Sequence, residues 1–406
     1  MLSLEQVSAS LESTSAALIR VDELVTQAST ETLGANHRKA AADEIDGLLE
    51  QIVNESNQKS QGRYLFSGSS ATTQPFSIQR TGGKISAVQY QGAASGLLVP
   101  VAPGVEYSGL MVGGDVFAGD KRTTPEFLGA TGAAVGTGTS SVTGDLYLTV
   151  AHDDTVFQAP AHGLVKGDSA DTSDTIVGVH TLTIGSGTLQ LGQGPVAAFN
   201  PGDTDVQVST PKGNVMHVDV SGWDSVSASI TVVGQADLYL DDPAAVTTVT
   251  DFSTDAAVLD ANGNVLHVDP SGIFHAGTGA NVEPVIVAET HDVFGALINI
   301  RDLLLNTRNF TETQQASLLS RSVTSLREAA NAVRGSATVA GSRLQAMDSL
   351  RTSLDGIQFT VDSEADTLEN ADIVQIAVDL ARTQTLYEMT LASTSKLLSL
   401  SLLDYI

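Results

Sequence analysis

Cysteine is absent from the 406 residues of this chain, and aromatic residues make up only 5% of it. Without cysteine, the chain can form no disulfide, no thiolate metal site and no cysteine nucleophile. Positive charge is also scarce, because 20 Lys and Arg residues stand against 47 Asp and Glu residues, a formal net charge of −27. Nucleic acids and anionic membranes attract clustered cations, so we expect neither as a partner.

Long apolar segments are missing as well. No stretch approaches the roughly 18 consecutive apolar residues that a membrane-spanning helix needs. The first residues, MLSLEQVSASLE, contain neither the basic start nor the apolar run of a secretory signal. If the protein leaves the cell, we expect export without a cleaved signal peptide.

Apolar residues of the N-terminal segment recur at alternating spacings of three and four. This spacing is typical of one side of a helix in a bundle or coiled coil. It predicts a first helix to about Ala28, an interruption at 30–36 with Gly34 in a turn, and a second helix from about His37 to Gln61. The two predicted stripes are Leu4, Val7, Leu11, Thr14, Leu18, Val21, Val25 and Ala28, and then Ile45, Leu48, Leu49, Ile52 and Val53.

The C-terminal third repeats this spacing. One helix is predicted to begin near Phe294. A second helix of about 50 residues is predicted to carry a seam from Leu319 to Val361, with a change of phase that resembles a stutter. Its seam is Leu319, Val323, Leu326, Ala330, Val333, Ala337, Ala340, Leu344 and Met347, and then Leu350, Leu354, Ile357 and Val361.

A last helix, from Ile373, ends in the apolar sequence SLSLLDYI. An apolar stripe at a chain end that would otherwise fray indicates burial against a partner. We call the predicted contact residues of this helix the terminal seam: Ile373, Leu380, Tyr387, Leu391, Leu398, Leu402, Leu403 and Tyr405.

Between these helical ends, residues 120–282 are rich in Gly, Thr, Ser, Val and Asp, in short alternating runs that predict strands. The segment TPKGNVMHVDVSGW at 210–223 matches DANGNVLHVDPSGI at 260–273. Two copies are too few for a solenoid, so we expect a duplicated hairpin or two related β-units. From 123 to 282 the only Lys or Arg residues are Lys166 and Lys212. We therefore expect a β-rich, acidic, outward-facing insertion, with a sandwich as one arrangement.

Each copy of this repeat contains a His/Asp pair at positions i and i+2: His217 with Asp219, and His267 with Asp269. On a strand, such residues share a face. A zinc site needs three or four ligands, so solvated strand faces are favoured over metal sites.

A second acidic motif, GDSADTSD, places Asp168, Asp171 and Asp174 three residues apart. Calcium loops use tighter alternation with a distal Glu, so a turn-forming loop is favoured. The sequence contains no phosphate loop, dinucleotide fingerprint or nucleophile elbow. We expect no enzyme, no metal and no cofactor.

Several segments carry a family resemblance. NQKSQGRYLFSGSSATTQPF at 57–76 resembles the flagellar hook-associated protein 3 family, the hook–filament junction proteins (FlgL type) of the flagellin-like superfamily. Segments 90–117 and 290–304 and the C-terminal helix from 372 are also similar to it. The resemblance covers about 1–119 and 289–406, and it leaves out the insertion.

The resemblance implies an α+β fold: an elongated flagellin-like helical bundle or coiled-coil rod with a β-rich inserted domain. It implies N-terminal rod helices and a β-element at 1–119, the insertion at 120–282, C-terminal rod helices at 283–369 and an inner-tube helix at 370–406. At the rod/β-element joint, Gly62 would end the second helix, and 63–66 would form a strand with Tyr64 and Phe66 on one face and Leu65 on the other. The predicted joint residues are Asn57, Gly62, Arg63, Tyr64, Phe66 and Gly68.

The function implied is structural: a flagellar component that joins hook to filament by self-assembly through terminal helices. Implied partners are further copies of the chain, the hook-side junction protein, flagellin and an export chaperone, with export through the type III channel to the outside of the cell. Family members begin with a further amphipathic stretch, so we expect a truncated start or a missing arm. Two alternatives stay open: flagellin itself, and an adhesin or glycan-binding module acting through the insertion.

Overall fold

The computed structural model describes residues 2–30, 34–96, 98–102, 105–108, 111–117, 123–241, 245–290 and 292–403. The chain divides into two compact units, Leu2–Ala340 and Gly341–Ile406. Helices and sheets both occur in the described residues, which confirms the predicted α+β class. The helices are α1 (Leu2–Thr30), α2 (Ala35–Ser56), α3 (Gly113–Phe117), α4 (Ala170–Ser173), α5 (Val293–Leu305) and α6 (Glu312–Leu403), with a 3-10 turn at Gly279–Asn281.

The strands fall into several sheets. Those before α3 form three two-stranded pairs, β1 with β2, β3 with β4, and β5 with β6. The strands are β1 (Lys59–Ser60), β2 (Arg63–Tyr64), β3 (Phe76–Thr81), β4 (Lys84–Tyr90), β5 (Leu98–Ala102), β6 (Val105–Ser108), β7 (Glu126–Phe127), β8 (Ala134–Val135), β9 (Gly144–Phe157), β10 (Val165–Lys166), β11 (Gly178–Gly185), β12 (Thr188–Leu191), β13 (Val196–Ala198), β14 (Val206–Ser209), β15 (Val215–Asp219), β16 (Ala228–Leu240), β17 (Thr247–Val249), β18 (Ala256–Leu259), β19 (Val265–Asp269) and β20 (Glu283–Val287).

Helices α1 and α2 pack antiparallel. Ser13 donates to Glu55 at 2.6 Å, and Arg20 pairs with Glu44 at 2.7 Å further along. All eight residues of the stripe predicted for α1 are buried, which confirms that interpretation. In α2, Leu48 of the predicted stripe is partly buried and the other four residues are fully buried.

Helix α6 is 92 residues long, so the prediction of about 50 residues with a separate last helix was wrong. It contains no proline, and its only glycines are Gly335, Gly341 and Gly356, so no residue in it forces a break. Its first part, to Ala340, contributes Leu319, Leu326 and other seam residues to the core formed with α1, α2 and α5. The helix passes the proposed boundary at 369–370 without interruption.

The β-rich part contains an eight-stranded sheet in the order β13-β12-β11-β16-β9-β20-β7, with β17 beside β16. Two three-stranded sheets, β10-β15-β14 and β18-β19-β8, pack against it. Strand β16 contributes to the hydrophobic cores under both small sheets. Ile230 and Val232 pack with the sheet β10-β15-β14, and Leu238 and Leu240 pack with the sheet β18-β19-β8. These residues have the same parity, so both small sheets cover one face of the large sheet.

The two small sheets contain the sequence repeat. Each copy forms a hairpin, β14/β15 or β18/β19, as the duplicated-hairpin prediction expected. The structural repeat is longer than the sequence repeat, because each hairpin also pairs with a two-residue strand, β10 or β8. A Cβ atom added at Gly163 would lie 1.9 Å from the Gly222 oxygen, and one added at Gly132 would lie 1.9 Å from the Gly272 oxygen, so both units use the same close glycine contact.

Candidate functional site: a buried joint and an exposed helix

The joint predicted at 57–68 is a tight hairpin that follows α2. Helix α2 ends at Ser56, five residues before the predicted end at Gln61. Gln61 and Gly62 have φ angles of 51° and 80° and form the two-residue turn between β1 and β2. Gly62 is therefore a turn residue and does not end the helix, which corrects the prediction.

Asn57 connects the end of α2 to strand β3. Its side-chain nitrogen donates to the carbonyl oxygen of Phe76 at 3.0 Å, and its side-chain oxygen accepts from the Phe76 N–H at 3.0 Å. The amide group of Asn57 thus pairs with the backbone as a neighbouring strand would. The same carbonyl also accepts from Gln74 at 2.9 Å.

The strand after the turn is shorter than predicted. Only Arg63 and Tyr64 are in strand β2, and Leu65 and Phe66 follow it in a turn, both fully buried. Arg63 is exposed, and Tyr64 is partly buried, with the Lys59 ammonium 4.4 Å from its ring centroid. The strand ends too early for the alternation of side chains to continue.

Phe66 belongs to an aromatic cluster in a chain that has few aromatic residues. It lies 5.2 Å from Phe117, and Phe76 lies 4.9 Å from Phe294 and 5.3 Å from Tyr90, measured between ring centroids. Each such pair contributes about 0.5–1.5 kcal/mol of stability beyond what burial of the ring surface contributes. Burial raises the pKa of the Tyr90 phenol, which donates to the backbone oxygen of Phe66 at 3.1 Å. The joint therefore brings α2, α3 and α5 into one core.

Gly68 has a steric role at this joint. Its φ is +61°, and a Cβ atom there would lie 2.5 Å from the Ser95 oxygen and 2.7 Å from the Ala93 oxygen. Gly62 also has a positive φ, but nothing lies within 4 Å of its Cβ position. The two predicted joint glycines are thus required for different reasons.

Arg301 of α5 is buried and fixes α5 to its neighbours. Its side chain is 4% exposed and pairs with Asp46 of α2 and Asp302, each at 2.8 Å. It also donates to the Ile85 carbonyl at 2.8 Å. Burial alone lowers its pKa, but both carboxylates raise it, and the net pKa shift is upward.

The unit Gly341–Ile406 contains the terminal seam. Every residue from 351 to 396 whose side chain is described is exposed. Ile373 is 63% exposed, Leu380 61%, Tyr387 68% and Leu391 53%. These four seam residues thus have no covering neighbour among the described residues.

The other four predicted seam residues lie within residues 398–406 of the sequence. Leu398, Leu402 and Leu403 belong to α6, but their side chains lie outside the described part. Tyr405 lies outside the described residues altogether.

A second apolar stripe, missed from the sequence, follows a different side of the same helix. Val374, Val378 and Met389 are 62%, 56% and 66% exposed. Because they are four and eleven residues apart, these three side chains lie on one side of the helix. That side is rotated by about 100–160° around the helix axis from Ile373. The same spacing rule could have found it, had it been applied to both sides. A helix that is apolar over most of its circumference is typically buried by more than one neighbour.

Both histidines of the repeat lie against carboxylates. The predicted solvated strand face was wrong for His217. His217 is buried, and its ring nitrogen Nδ1 lies 2.9 Å from Asp174. His267 is less buried and lies 2.5 Å from Asp255. The described residues contain no group of three or more His, Asp or Glu side chains that could hold a metal ion.

The acidic loop uses its carboxylates separately. Asp168 accepts from Thr204 at 2.7 Å, Asp171 pairs with Lys166 at 2.9 Å, and Asp174 also accepts from Thr155 at 2.6 Å. The carboxylates thus fix different neighbours, as a structural turn does.

Trp223, at the end of the first copy of the sequence repeat, is partly buried. Its ring centroid lies 5.3 Å from that of Phe199, and its indole N–H donates to Val226 at 2.9 Å.

No helix in the described ranges combines the length and apolar content needed to span a bilayer.

Together these features define an α+β protein with a helix-and-sheet unit and an exposed helical segment. No protein-family model matches the sequence, and no curated protein matches it either. Among solved structures, it is similar to FlgL of Xanthomonas campestris, with 19% identity, 90% of this chain and 93% of that chain covered, and a TM-score of 0.46. It is also similar to flagellar hook associated protein-3 of Legionella pneumophila, with 18% identity, 92% of each chain covered and a TM-score of 0.44. FliC of Burkholderia pseudomallei has 14% identity, coverage of 84% and 98%, and a TM-score of 0.25.

Proposed function

We propose that this chain is a structural component of the bacterial flagellum that joins hook to filament by self-assembly through its terminal helix. The observation that carries the proposal is the exposure of the terminal seam at Ile373, Leu380, Tyr387 and Leu391. Burying one such side chain fully is worth about 1.5–3 kcal/mol, so a stripe of them favours association strongly. Helices in water are stabilised mainly by packing of an apolar face, which this segment obtains from partner molecules.

The sequence resemblance supports the kind of assembly. The GRYLFSG segment at the joint and the C-terminal sequence ending in LSLLDY both match the junction-protein pattern in the expected order. We infer that neighbouring copies, the hook-side junction protein and flagellin cover the seam outside the cell. Before export, a chaperone covers it, because an exposed apolar stripe promotes aggregation.

The acidic β-rich part has a separate place in the proposal. We infer that it faces the medium, where its negative charge limits nonspecific association between crowded copies. No chemical step is assigned to the protein, so the proposed role is that of a connector and not of an enzyme.

The proposal is tested by deleting residues 398–406 in the native organism. We expect the amount of exported protein to stay unchanged, while filaments no longer remain attached to hooks. A control tail with the same nine residues in permuted order, with Ser, Ser and Asp at positions 398, 402 and 403, keeps length and composition but takes the apolar residues off three of the four seam positions of this tail. It should fail as the deletion does, and attachment with either variant would contradict the proposal.

A second measurement separates a junction role from that of the bulk filament subunit. We expect purified protein to form short closed assemblies or none, seen by electron microscopy. Growth of long filaments from this chain alone would instead favour a flagellin role.

A further inference from the structure

A cavity of about 290 Å³ lies between the first turns of α6 and two loops of the β-rich part, within the unit Leu2–Ala340. Gln314, Ser317, Leu318 and Arg321 line its helical wall. Their spacing places them on one face of α6. Residues 128–130 and several between 275 and 284 line the other walls. This volume is close to the lower end of small-molecule sites.

The charge of this cavity is unusual for such an acidic chain. None of its lining residues is Asp or Glu, although the chain has 47 of them. A second cavity, of about 350 Å³, is lined by five aspartates together with Arg308. Acidic residues thus line one cavity and are excluded from the other.

Arg321 has no hydrogen bond or ion pair within the described ranges, whereas Arg80, Arg301 and Arg308 are paired with carboxylates. The side chains of Asn281 and Ser317 likewise have no hydrogen bond to another described residue. The cavity therefore combines one unpaired cation with an amide and a hydroxyl that are free to bind.

His275 supplies a further polar atom of fixed character. The side-chain nitrogen of Asn214 donates to the Thr175 carbonyl at 2.9 Å, so its oxygen must accept from Nδ1 of His275. This assigns the ring hydrogen to Nδ1 and leaves Nε2 as an acceptor, without a partner among the described residues. Burial lowers the pKa of His275, and nearby Lys212 lowers it further, which favours the neutral ring.

The loop wall is held in place by a buried carboxylate next to the cavity. Glu283 is 2% exposed and accepts from the backbone N–H of Gly129 and from both the N–H and the hydroxyl of Thr131, the last two at 3.1 and 2.5 Å. Three donors occupy its oxygens. The carboxylate therefore orders the wall while its charge is compensated locally.

We propose that this cavity binds a small hydroxylated carboxylate, such as a uronic acid. The planar guanidinium of Arg321 matches a carboxylate in a bidentate pair. Asn281 and Ser317 bind hydroxyl groups, with Nε2 of His275 accepting from another. The apolar side chains of Leu128 and Leu318 contact the carbon skeleton. This binding does not depend on the proposed assembly role.

The test uses the full chain with sodium galacturonate, followed by saturation-transfer NMR and calorimetry, and galactose as the probe without a carboxylate. Arg321→Gln removes the cation, and Arg334→Gln is its control, since it lowers the net charge equally on an exposed α6 residue outside the cavity. Ser317→Trp fills the cavity, and Ser320→Trp places the same bulk on an exposed residue outside it.

We expect galacturonate to bind the parent chain, Arg334→Gln and Ser320→Trp alike. Arg321→Gln should bind about tenfold more weakly or worse, and Ser317→Trp should not bind, because a charge-assisted pair or the space itself is lost. Galactose should bind at least about tenfold more weakly than galacturonate. A parent Kd above about 10 mM, equal binding of galactose, or unchanged binding by Arg321→Gln would each overturn the proposal.

Discussion

Two leucines on different sides of α6 test whether the terminal seam drives association. Leu380 is 61% exposed and Leu386 is 58% exposed, so their Ala variants remove nearly the same exposed side chain. Six residues along a helix correspond to a rotation of about 240°, so Leu386 lies off the seam. Completing the burial of Leu380 in an assembly is worth about 1–2 kcal/mol, and Ala retains a small part of that.

We expect Leu380→Ala to raise the critical concentration for assembly roughly fivefold, which corresponds to about 1 kcal/mol. The triple variant at Ile373, Leu380 and Leu391 should raise it on the order of 100-fold, since these side chains lie on one stripe and lose about 3 kcal/mol together. Leu386→Ala should have a smaller effect than Leu380→Ala.

Sedimentation velocity over a concentration series measures association, and thermal unfolding measures the folded subunit. Exposed substitutions usually change stability by no more than about 0.5 kcal/mol, so none of the variants should shift the unfolding of the subunit. An effect of Leu386→Ala equal to that of Leu380→Ala, or a clear loss of subunit stability, would refute the reasoning.

Three further predictions concern the helix-and-sheet unit. Gly68→Ala should lower the free energy of unfolding by about 2–5 kcal/mol in urea titration, because backbone strain and steric overlap with nearby oxygens add. Gly62→Ala, which has the strain alone, should lower it by only about 1–2 kcal/mol. Equal losses would contradict the steric role of Gly68. Arg301→Met should cost about 3 kcal/mol in the same assay by leaving the partly exposed carboxylate of Asp46 and the buried carbonyl of Ile85 without their donor, and adding Asp46→Leu should recover part of it. Burial raises the pKa of Tyr147 above its ordinary value of 10, so ultraviolet titration should show this phenol ionising after exposed tyrosines, and the stability it contributes should decline as the pH rises above 10; loss of the late-ionising phenol in Tyr147→Phe is the control.

Much of the helical core could be predicted from the sequence because its pattern is local. The stripe from Leu4 to Ala28 needs only a period of three and four residues, and all of its members are buried. The polar stretch after Val361 hid the continuity of α6, since the apolar period fades there. The absence of proline and the scarcity of glycine were the better guide to that continuity.

The errors at the sites come from partners that are distant in sequence. The hydrogen bonds of Asn57 reach Phe76, and those of His217 reach Asp174, 43 residues away. A local pattern cannot show such pairs. The hairpin turn at Gln61 and Gly62 interrupted a helical pattern that the preceding residues would have continued. Strands β8 and β10 are two residues long, too short for periodicity to reveal them.

The pairing of Asn57 with Phe76 also makes the joint sensitive to chemical ageing. Slow hydrolysis of this amide to aspartate would exchange the hydrogen-bond donor for a second acceptor facing a carbonyl oxygen. The bond to the Phe76 N–H would survive, but two electronegative atoms would then repel each other where helix meets strand. Deamidation of Asn57 should therefore mark older molecules, and it should be measurable as faster amide hydrogen exchange in β3.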